Sequence, residues 1–546
     1  MRRFLSFALI VAAAGCDSGR GDDPPEDPVT EWAISHYDYA IDFRTREATA
    51  TLTVEATGSG HCIVIPFAPE DVGRVTIDGD RAHVTLEDGI LQACGRKLDA
   101  ETVLLEARLV VPEDTLGLSD VGFSTFDDID DNETAYLLSW VDECDRHGPC
   151  DSSPSAFATY RFSISHDPAQ QVLCPGTIST PEPERTVCDF SHAGGPTYST
   201  FGAIAGQWDE TSLGEWGGVD VTLFDLPSTG IAAALKTSSL EAFVVWMEAT
   251  FGEYPFGSEL RLVTANTYWS GFEHPGNIVL SDGLATSPSA YLDPLTHVTL
   301  HEIAHQWAGD QATLASTYDF VWKEAMAEYL TFVFEDENLP PGAAIATAAA
   351  WKSFAYGAEH PLVPDYSPEL FDYYGEVYGP GPMVLFRQME GMFGRPSVIA
   401  ALQALLGSPR TISVADVRDA LEASTGESLD GYFAAWVYGS QAPAWPVATI
   451  GWNDAGAGDV DVTATLSTAD GVPRGCKFTV QLVGTSGNAY DVPFDFGPDG
   501  TAVSPQTVTP GFAVTGTTLD PYHECLVFAP GAAFASERPD PWRARG

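Results

Sequence analysis

The sequence is poor in basic residues. Its 546 residues include 26 lysines and arginines against 77 aspartates and glutamates, which gives a formal net charge of −51 at pH 7. Proteins that bind nucleic acids without sequence specificity use lysine and arginine to neutralise the backbone phosphates, and so acidic a chain repels those phosphates. We therefore expect no nucleic-acid partner, and we attribute the acidic excess to solubility.

Long apolar runs are absent from the interior of the sequence, where no stretch reaches the roughly 18 residues of a membrane-spanning helix. The N-terminus differs: Arg2 and Arg3 precede an apolar segment and small residues before Cys16, as in a bacterial lipoprotein signal. We predict a signal peptide over residues 1–15, a lipid anchor on Cys16 that attaches the chain to a membrane, and a flexible tether over residues 16–31. An ordinary signal peptide followed by an unmodified cysteine is the alternative.

The nine cysteines favour an exported protein. Setting the predicted lipidated cysteine aside leaves an even number, which suits disulfide formation outside the cytoplasm. We expect the protein in the bacterial cell envelope, in the periplasm or at the cell surface. Neighbours in the sequence give the expected disulfides, which are Cys62–Cys94, Cys144–Cys150, Cys174–Cys188 and Cys476–Cys525.

The hydrophobic pattern divides the sequence into three parts. Alternating polar and apolar residues, as in "ATATLTVEA", predict strands from His36 to about Trp208, whereas helices dominate from about Leu295 to Trp436. Strands are expected again after Pro446, in "VDVTATLS", "KFTVQLVG" and "HECLVFA". This predicts a multidomain α+β fold. Its parts are an N-terminal antiparallel β domain at 32–227, a mainly helical domain at 228–443 and a C-terminal β-sandwich at 444–546.

The segment "HEIAHQW" carries the strongest chemical signal. In a helix, residues four apart lie on one face, so His301 and His305 can both face one metal ion. A hydrolytic zinc site needs three protein ligands and one open position. Glu324, 19 residues after His305 and at the head of an apolar helix, is the candidate third ligand. A helix that contains two histidines by chance is the alternative, and the later glutamate argues against it.

These residues resemble those of the gluzincin metallopeptidases, and their surroundings resemble the aminopeptidase N family. That family has "HE-x-x-HQW-x-G-[ND]" where this sequence has "HEIAHQWAGD", and "W-L-N-E-G-F-A" where this sequence has "VWKEAMA". Its "G-x-M-E-N" is similar to "SGFEH" at 270–274, and its "Y-x-K-G" to "YGPG" at 378–381. The resemblance covers about residues 34–450 and implies a thermolysin-like catalytic domain.

The resemblance implies a role for each matched residue of the reaction centre. It implies one zinc ion per chain, held by His301, His305 and Glu324. It makes Glu302 the acid–base group that takes a proton from water and passes it to the leaving amine. It makes the hydroxyl of Tyr378 the hydrogen-bond donor to the oxyanion.

The resemblance also implies a substrate-binding segment. In the family, the glutamate at the position of Glu273 binds the free α-ammonium group of the substrate, and the glycine at the position of Gly271 belongs to the same motif. The family's next residue, an asparagine, is replaced here by His274. The β domain of the family adds a further polar side chain, for which Trp140 aligns and Glu143 is a substitute nearby.

Together these features predict an exported, zinc-dependent aminopeptidase that acts on peptide substrates. A zinc endopeptidase or an epoxide hydrolase on the same fold is one alternative. A non-catalytic surface binding lipoprotein is the other. The sequence leaves the oligomeric state open.

Overall fold

The structure is a computed structural model that describes residues 27–29, 31–113, 122–127, 132–267, 269–286 and 290–532. The predicted signal peptide, Cys16 and most of the predicted tether lie outside the described residues. None of the helices in these ranges is long and apolar enough to cross a membrane.

The first part of the chain consists mainly of strands, as the alternating pattern predicts. In β2, for example, every second residue is buried, and Leu52 and Val54 are fully buried in the core. The strands are β1 (Trp32–Asp42), β2 (Glu47–Ala56), β3 (Ser59–Pro66), β4 (Asp71–Ile77), β5 (Asp80–Arg81), β6 (His83–Glu87), β7 (Ile90–Asp99), β8 (Thr102–Val110), β9 (Gly122–Asp127), β10 (Glu133–Leu138), β11 (Phe157–Ser165), β12 (Gln171–Leu173), β13 (Thr177–Glu182), β14 (Arg185–Pro196) and β15 (Gly202–Gly206).

These strands form three sheets. The largest has the order β13-β14-β11-β1-β2-β8-β4-β5, and the others have the orders β12-β15-β10-β9 and β3-β7-β6. All recorded pairs are antiparallel except β1 with β11, which run parallel. The predicted antiparallel domain is therefore confirmed, with one parallel pair. That pair is possible because a long connection separates the two strands in sequence.

All four predicted disulfides are present. Cys62 pairs with Cys94, Cys144 with Cys150, Cys174 with Cys188 and Cys476 with Cys525. Three of them lie in the first part of the chain, and the fourth lies in the last. This arrangement agrees with a protein that folds in an extracellular or periplasmic environment.

A mixed sheet supports the central part of the chain. Its order is β16-β17-β18-β20-β19, with β18 parallel to both β17 and β20. The hairpin of β16 and β17 precedes the predicted domain boundary at residue 227, yet it pairs with β18 and belongs to this sheet. The boundary itself stays a prediction. The strands of the central part are β16 (Asp209–Trp216), β17 (Val219–Asp225), β18 (Glu259–Ala265), β19 (Gly271–His274), β20 (Asn277–Ser281), β21 (Ala312–Leu314), β22 (Val363–Pro364), β23 (Arg410–Ile412) and β24 (Tyr438–Gly439).

Helices pack on this sheet. A π-helical turn, Met383–Arg387, joins α8 to α9, and short 3-10 helices occupy Cys144–Arg146, Thr317–Asp319 and Thr485–Gly487. The α-helices are α1 (Thr197–Thr200), α2 (Ile231–Ala234), α3 (Thr237–Phe251), α4 (Pro294–His305), α5 (Phe320–Asn338), α6 (Ala343–Ala355), α7 (Leu370–Val377), α8 (Pro380–Pro382), α9 (Gln388–Phe393), α10 (Arg395–Leu406), α11 (Val414–Thr425) and α12 (Asp430–Trp436).

The last part contains two three-stranded antiparallel sheets, with the orders β25-β26-β29 and β28-β27-β30. Their inner side chains continue the hydrophobic core of the helical part, whereas the first part has a core of its own. The strands are β25 (Val447–Gly456), β26 (Asp459–Ser467), β27 (Lys477–Gly484), β28 (Ala489–Asp495), β29 (Gln506–Val508) and β30 (Val514–Leu519).

The strand predicted in "HECLVFA" is wrong. Apart from a single bridge between Phe528 and Val447, this segment forms no ladder within the described residues. Cys525 is held by its disulfide, and the backbone N–H of Leu526 donates to Oε1 of Gln388 at 2.9 Å. The segment therefore packs against the helical part and satisfies its backbone there, without a neighbouring strand.

Candidate metal centre and active site

Two buried helices bring the three predicted ligands together. Asp293 caps the N-terminus of α4, with Pro294 as its first residue, and the helix places His301 and His305 on one face. Glu324 lies in the first turns of α5, which packs against α4. The three side chains offer ligand atoms that all lie within 4.8 Å of one another.

The geometry of these atoms suits a tetrahedral zinc ion. Nε2 of His301 lies 2.9 Å from Nε2 of His305, and Oε2 of Glu324 lies 3.2 Å and 3.3 Å from those two nitrogens. Ligand bonds of about 2.0–2.1 Å in a tetrahedron separate the ligand atoms by about 3.3 Å. The spacing of the three atoms therefore fits the three protein ligands of a hydrolytic zinc site.

The opposite ring nitrogens of the two histidines are held by other groups. Nδ1 of His301 lies 3.2 Å from Oε1 of Glu328, one helical turn after Glu324. Nδ1 of His305 lies 2.9 Å from the backbone oxygen of Ala308. Because each Nδ1 faces an acceptor, each Nε2 keeps its lone pair for a metal ion.

Glu302 sits beside the three ligand atoms. Its Oε2 is buried and has no hydrogen-bond partner among the described residues, so that it is available to a water or a substrate. Burial raises the pKa of Glu302 to about 8, and the nearby carboxylates of Glu273 and Glu324 add to this rise. A side chain at Gly271 would place its Cβ 2.4 Å from Oε1 of Glu302, so glycine makes room for this carboxylate.

Glu273 reaches the same pocket from the edge strand β19. It is 6% exposed, and its Oε1 lies 2.7 Å from Nζ of Lys323. Burial raises the pKa of the Glu273 carboxyl, whereas the positive charge on Lys323 lowers that pKa. The net pKa lies below the ordinary value of a glutamate. Glu273 is therefore a carboxylate that already has a cation beside it.

Tyr378 lines the pocket on the far side of the ligands. Its ring centroid lies 6.2 Å from that of His301, and its hydroxyl donates to the hydroxyl of Tyr374 at 2.6 Å. Burial, followed by the charge of Glu324, raises the pKa of Tyr378. Its hydroxyl therefore keeps a proton that it can donate to an oxygen that becomes negatively charged.

Aromatic rings form part of the pocket lining. Trp140 lines it and contacts the rings of Phe320 and Tyr374, with centroids 6.2 Å and 5.3 Å away. Glu143, the predicted polar substitute, is not among the described residues that line the pocket and lies 3.4 Å from Nε of Arg146. Of the two residues considered from the sequence, the aligned Trp140 therefore lines the pocket and the substitute Glu143 does not.

His274 is a structural residue of the same strand. It is buried, with Nε2 2.8 Å from the hydroxyl of Tyr136 and Nδ1 2.6 Å from the backbone oxygen of Ser199. Burial lowers its pKa to about 4, so the ring is neutral. His274 ties β19 to the N-terminal domain and thereby fixes the position of Glu273 next to it.

Residues 238–436, which include all these ligands, match the peptidase family M1 domain. This segment is an M1 peptidase domain, and the predicted relationship to the aminopeptidase N family is confirmed. A curated relative is the aminopeptidase N of Streptomyces lividans, which is 23% identical over 434 residues. The match covers 72% of this chain and 48% of the relative, so the chain spans about half the length of that relative.

Solved structures show the same fold. The M1 zinc metallopeptidase from Deinococcus radiodurans superposes with a TM-score of 0.62 at 19% identity, over 76% of this chain and 94% of that chain. A glutamate-to-alanine mutant of that enzyme, bound to the substrate Tyr-Ser-Ala, gives the same TM-score and identity over 76% of this chain and 96% of that chain. The fold around the M1 domain is therefore that of these metallopeptidases.

Three residues of the pocket and its surroundings were missed from the sequence. Glu328 follows Glu324 by four residues, and the helical period alone places it on the same face. Lys323 was visible as a charged residue within an apolar helix, at the place where the family motif has asparagine. Tyr374 had no signal of its own because it lies in a tyrosine-rich stretch.

Proposed function

We propose that the chain is a zinc-dependent aminopeptidase that removes N-terminal residues from peptides. The observation that carries the proposal is the triangle of His301 Nε2, His305 Nε2 and Glu324 Oε2, whose sides are 2.9, 3.2 and 3.3 Å. Oε2 of Glu302 beside it, which has no hydrogen-bond partner among the described residues, supplies the second part of a hydrolytic centre. The aminopeptidase N relative and the substrate-bound metallopeptidase support peptides as substrates.

One zinc ion per chain would be held by His301, His305 and Glu324. A second group of possible ligand atoms, from Glu273, Glu302 and His305, shares His305 with the first and does not form a separate site. Bound zinc supplies Lewis-acid chemistry, which polarises the carbonyl group of the scissile bond.

The side chains of the pocket supply the proton transfers. Glu302 accepts a proton from the attacking water at Oε2 and donates it to the nitrogen of the leaving amine. The hydroxyl of Tyr378 turns from Tyr374 and donates to the oxyanion, where negative charge develops.

Gly271 and Glu273 of β19 line the pocket together with the aromatic wall formed by Trp140 and Tyr374. In the proposed binding mode, the terminal residue of the substrate would lie at Glu273, and the aromatic wall would limit the space beyond it. This wall favours an exopeptidase over an endopeptidase, because an endopeptidase must accommodate several residues on that side of the scissile bond.

Export and attachment to a membrane complete the proposal. The four disulfides support an environment outside the cytoplasm. The small residues before Cys16 support a lipid anchor there, which radiolabelled palmitate would reveal in the wild type and not in Cys16→Ser.

The function is tested with the purified chain and a mixture of peptides followed by mass spectrometry, with zinc present and after chelation. Stepwise loss of N-terminal residues that depends on zinc supports the aminopeptidase. Internal cuts would indicate the endopeptidase alternative. No cleavage by a chain that has bound zinc would indicate an epoxide substrate or a binding role.

A further inference from the structure

Lys323 places a buried ammonium group in the pocket. The side chain is 3% exposed, and its Nζ lies 2.7 Å from Oε1 of Glu273 and 2.6 Å from Oε1 of Glu324. Lysine is rarely buried unless it is paired, and here it is paired twice. The first of its partners is the carboxylate that would bind the α-ammonium group of a substrate.

The position of Lys323 is fixed by packing. Its Nζ lies 5.1 Å from the ring centroid of Phe320. A Cβ at Gly309 would lie 3.0 Å from Cε of Lys323, and the φ of +153° at Gly309 favours glycine as well. The absence of a side chain at Gly309, in the loop after α4, thus leaves room for the side chain of Lys323, which extends from α5 to Glu273.

A bound metal ion does not compete for Lys323. Glu324 directs Oε2 towards the two histidines and Oε1 towards Nζ, so one oxygen can bind zinc while the other accepts from the ammonium group. Lys323 therefore stays beside Glu273 when the metal centre is filled.

The described lining of the pocket offers one carboxylate for a substrate ammonium group. Among the described residues that line it, the acids are Glu273, Glu302 and Glu324. The proposed function assigns Glu324 to the metal and Glu302 to proton transfer. Glu273 alone remains, and its charge is already balanced by Lys323.

We propose that Lys323 is a specificity-determining residue, which occupies the ammonium subsite at Glu273 and removes the preference for a charged N-terminus. The expected substrates are peptides whose terminal nitrogen is free or carries a small uncharged acyl group, such as formyl or acetyl. This inference rests on the proposed peptidase function and defines its substrate class.

The reason is electrostatic. A substrate ammonium group that approaches Glu273 also approaches Nζ of Lys323, so that attraction by one group is offset by repulsion from the other. An acylated nitrogen carries no charge and needs no counter-ion. The free and the acylated substrates should therefore have similar affinities.

The experiment compares alanine p-nitroanilide with N-acetylalanine p-nitroanilide as substrates. The measured quantity is the ratio of their kcat/KM values within each variant, because effects on folding and zinc content cancel in that ratio. We expect a ratio within about fivefold of one for the wild type. Lys323→Asn, which introduces the family residue, should raise the ratio in favour of the free amine at least about tenfold. Lys323→Arg keeps the charge and should leave the ratio unchanged.

Glu273→Gln completes a cycle of variants. In the wild-type background, Glu273→Gln should change the ratio of the two kcat/KM values less than about threefold. In the Lys323→Asn background, Glu273→Gln should abolish the preference for the free amine. A wild-type preference for the free amine above about a hundredfold, unchanged in Lys323→Asn, would overturn the inference and leave the proposed function intact.

A binding measurement covers the case in which neither substrate is cleaved. Zinc-loaded Glu302→Gln is titrated by calorimetry with trialanine and with N-acetyl-trialanine, with and without Lys323→Asn. We expect the two peptides to have similar Kd values with Lys323 present, and trialanine to bind more tightly than N-acetyl-trialanine in Lys323→Asn. This result supports the inference even if the peptidase proposal fails. Unchanged selectivity, or binding of neither peptide, overturns it.

Discussion

The carboxylate of Glu328 lies 3.2 Å from Nδ1 of His301, on the side of the ring opposite the ligand nitrogen. Such a partner fixes the orientation of the ring and increases the basicity of the ligand atom, and its loss weakens metal binding about 10–100-fold. We expect Glu328→Gln to lower zinc affinity by this factor, as measured by competition with a chromogenic chelator. Glu335→Gln, on the same helix and in contact with His297, is the control and should keep zinc affinity within about threefold.

Glu302→Gln should separate metal binding from catalysis. The side chain lies beside the ligand atoms without being one of them, so the variant should bind zinc as the wild type does. Peptide hydrolysis should fall about 10²–10⁴-fold, because the amide cannot take up the proton of the attacking water. Zinc content by atomic absorption and turnover by mass spectrometry measure both effects. Equal turnover in the variant and the wild type would exclude Glu302 as the acid–base group.

Tyr378→Phe should lower kcat about 10²–10³-fold, with KM changed less than about threefold, because a donor to the oxyanion acts in the transition state. Tyr374→Phe is the matched variant. It removes the hydroxyl that accepts from Tyr378 at 2.6 Å and should cost less than about tenfold. If the two variants lost equal amounts of kcat, the oxyanion role would not belong to Tyr378.

His297 predicts a pH dependence of stability. Its Nδ1 lies 2.8 Å from Oε1 of Glu335, and its Nε2 lies 3.3 Å from Oε1 of Glu328. Burial lowers the pKa of this histidine, but the two carboxylates raise it to about 9. Because the pKa of His297 is higher in the folded state than its value of about 6.5 in the unfolded chain, the protonated ring stabilises the fold. This stabilisation is complete below about pH 6.5 and is lost as the pH rises through 9. The loss is on the order of 3 kcal/mol.

The check is the midpoint of thermal unfolding between pH 6.5 and 9.5, with zinc present throughout. The midpoint of the wild type should fall over this range, and that of His297→Gln should fall less. His166→Gln is the control, because the ring of His166 contacts Thr186 and a backbone oxygen and, among the described residues, no carboxylate. Its unfolding midpoint should change with pH as that of the wild type does. Parallel curves for all three proteins would contradict the prediction.

The disulfides should differ in their contributions to stability. The Cys476–Cys525 bond closes a separation of 49 residues, and the Cys144–Cys150 bond closes one of 6. The chain-entropy model gives about 4 and about 2 kcal/mol for these two loops. Replacing both cysteines of the longer loop by serine should therefore lower the unfolding midpoint more than the same change in the shorter loop. The reverse order would show that native packing, rather than loop length, decides the effect.

The metal site stays a prediction, and the residues on which it rests are set by local sequence. His301 and His305 lie one turn apart in any helix, and Glu324 follows at a spacing that the resemblance made specific. Contacts between distant segments were less accessible. The alternation within β1 and β11 predicted two strands but not that they pair in parallel, because either direction buries the same face.

The amine subsite shows a different limit. Glu273 was recognised by its motif, but its partner Lys323 belongs to another motif, 50 residues further along the chain. The glutamate of "VWKEAMA" matches the family motif "W-L-N-E-G-F-A", whereas the lysine before it departs from that motif. The pairing depends on the packing of α5 near β19, which no local pattern of the sequence predicts.

The ion pair between Lys323 and Glu273 also has a genetic consequence. Lysine and asparagine codons differ only in their third nucleotide, so a single base change replaces the internal ammonium group with the family residue. The wall of the pocket, the metal ligands and Glu273 remain in place after such a change. The choice between charged and capped N-termini thus lies within reach of one mutational step, and selection can reverse it without rebuilding the fold.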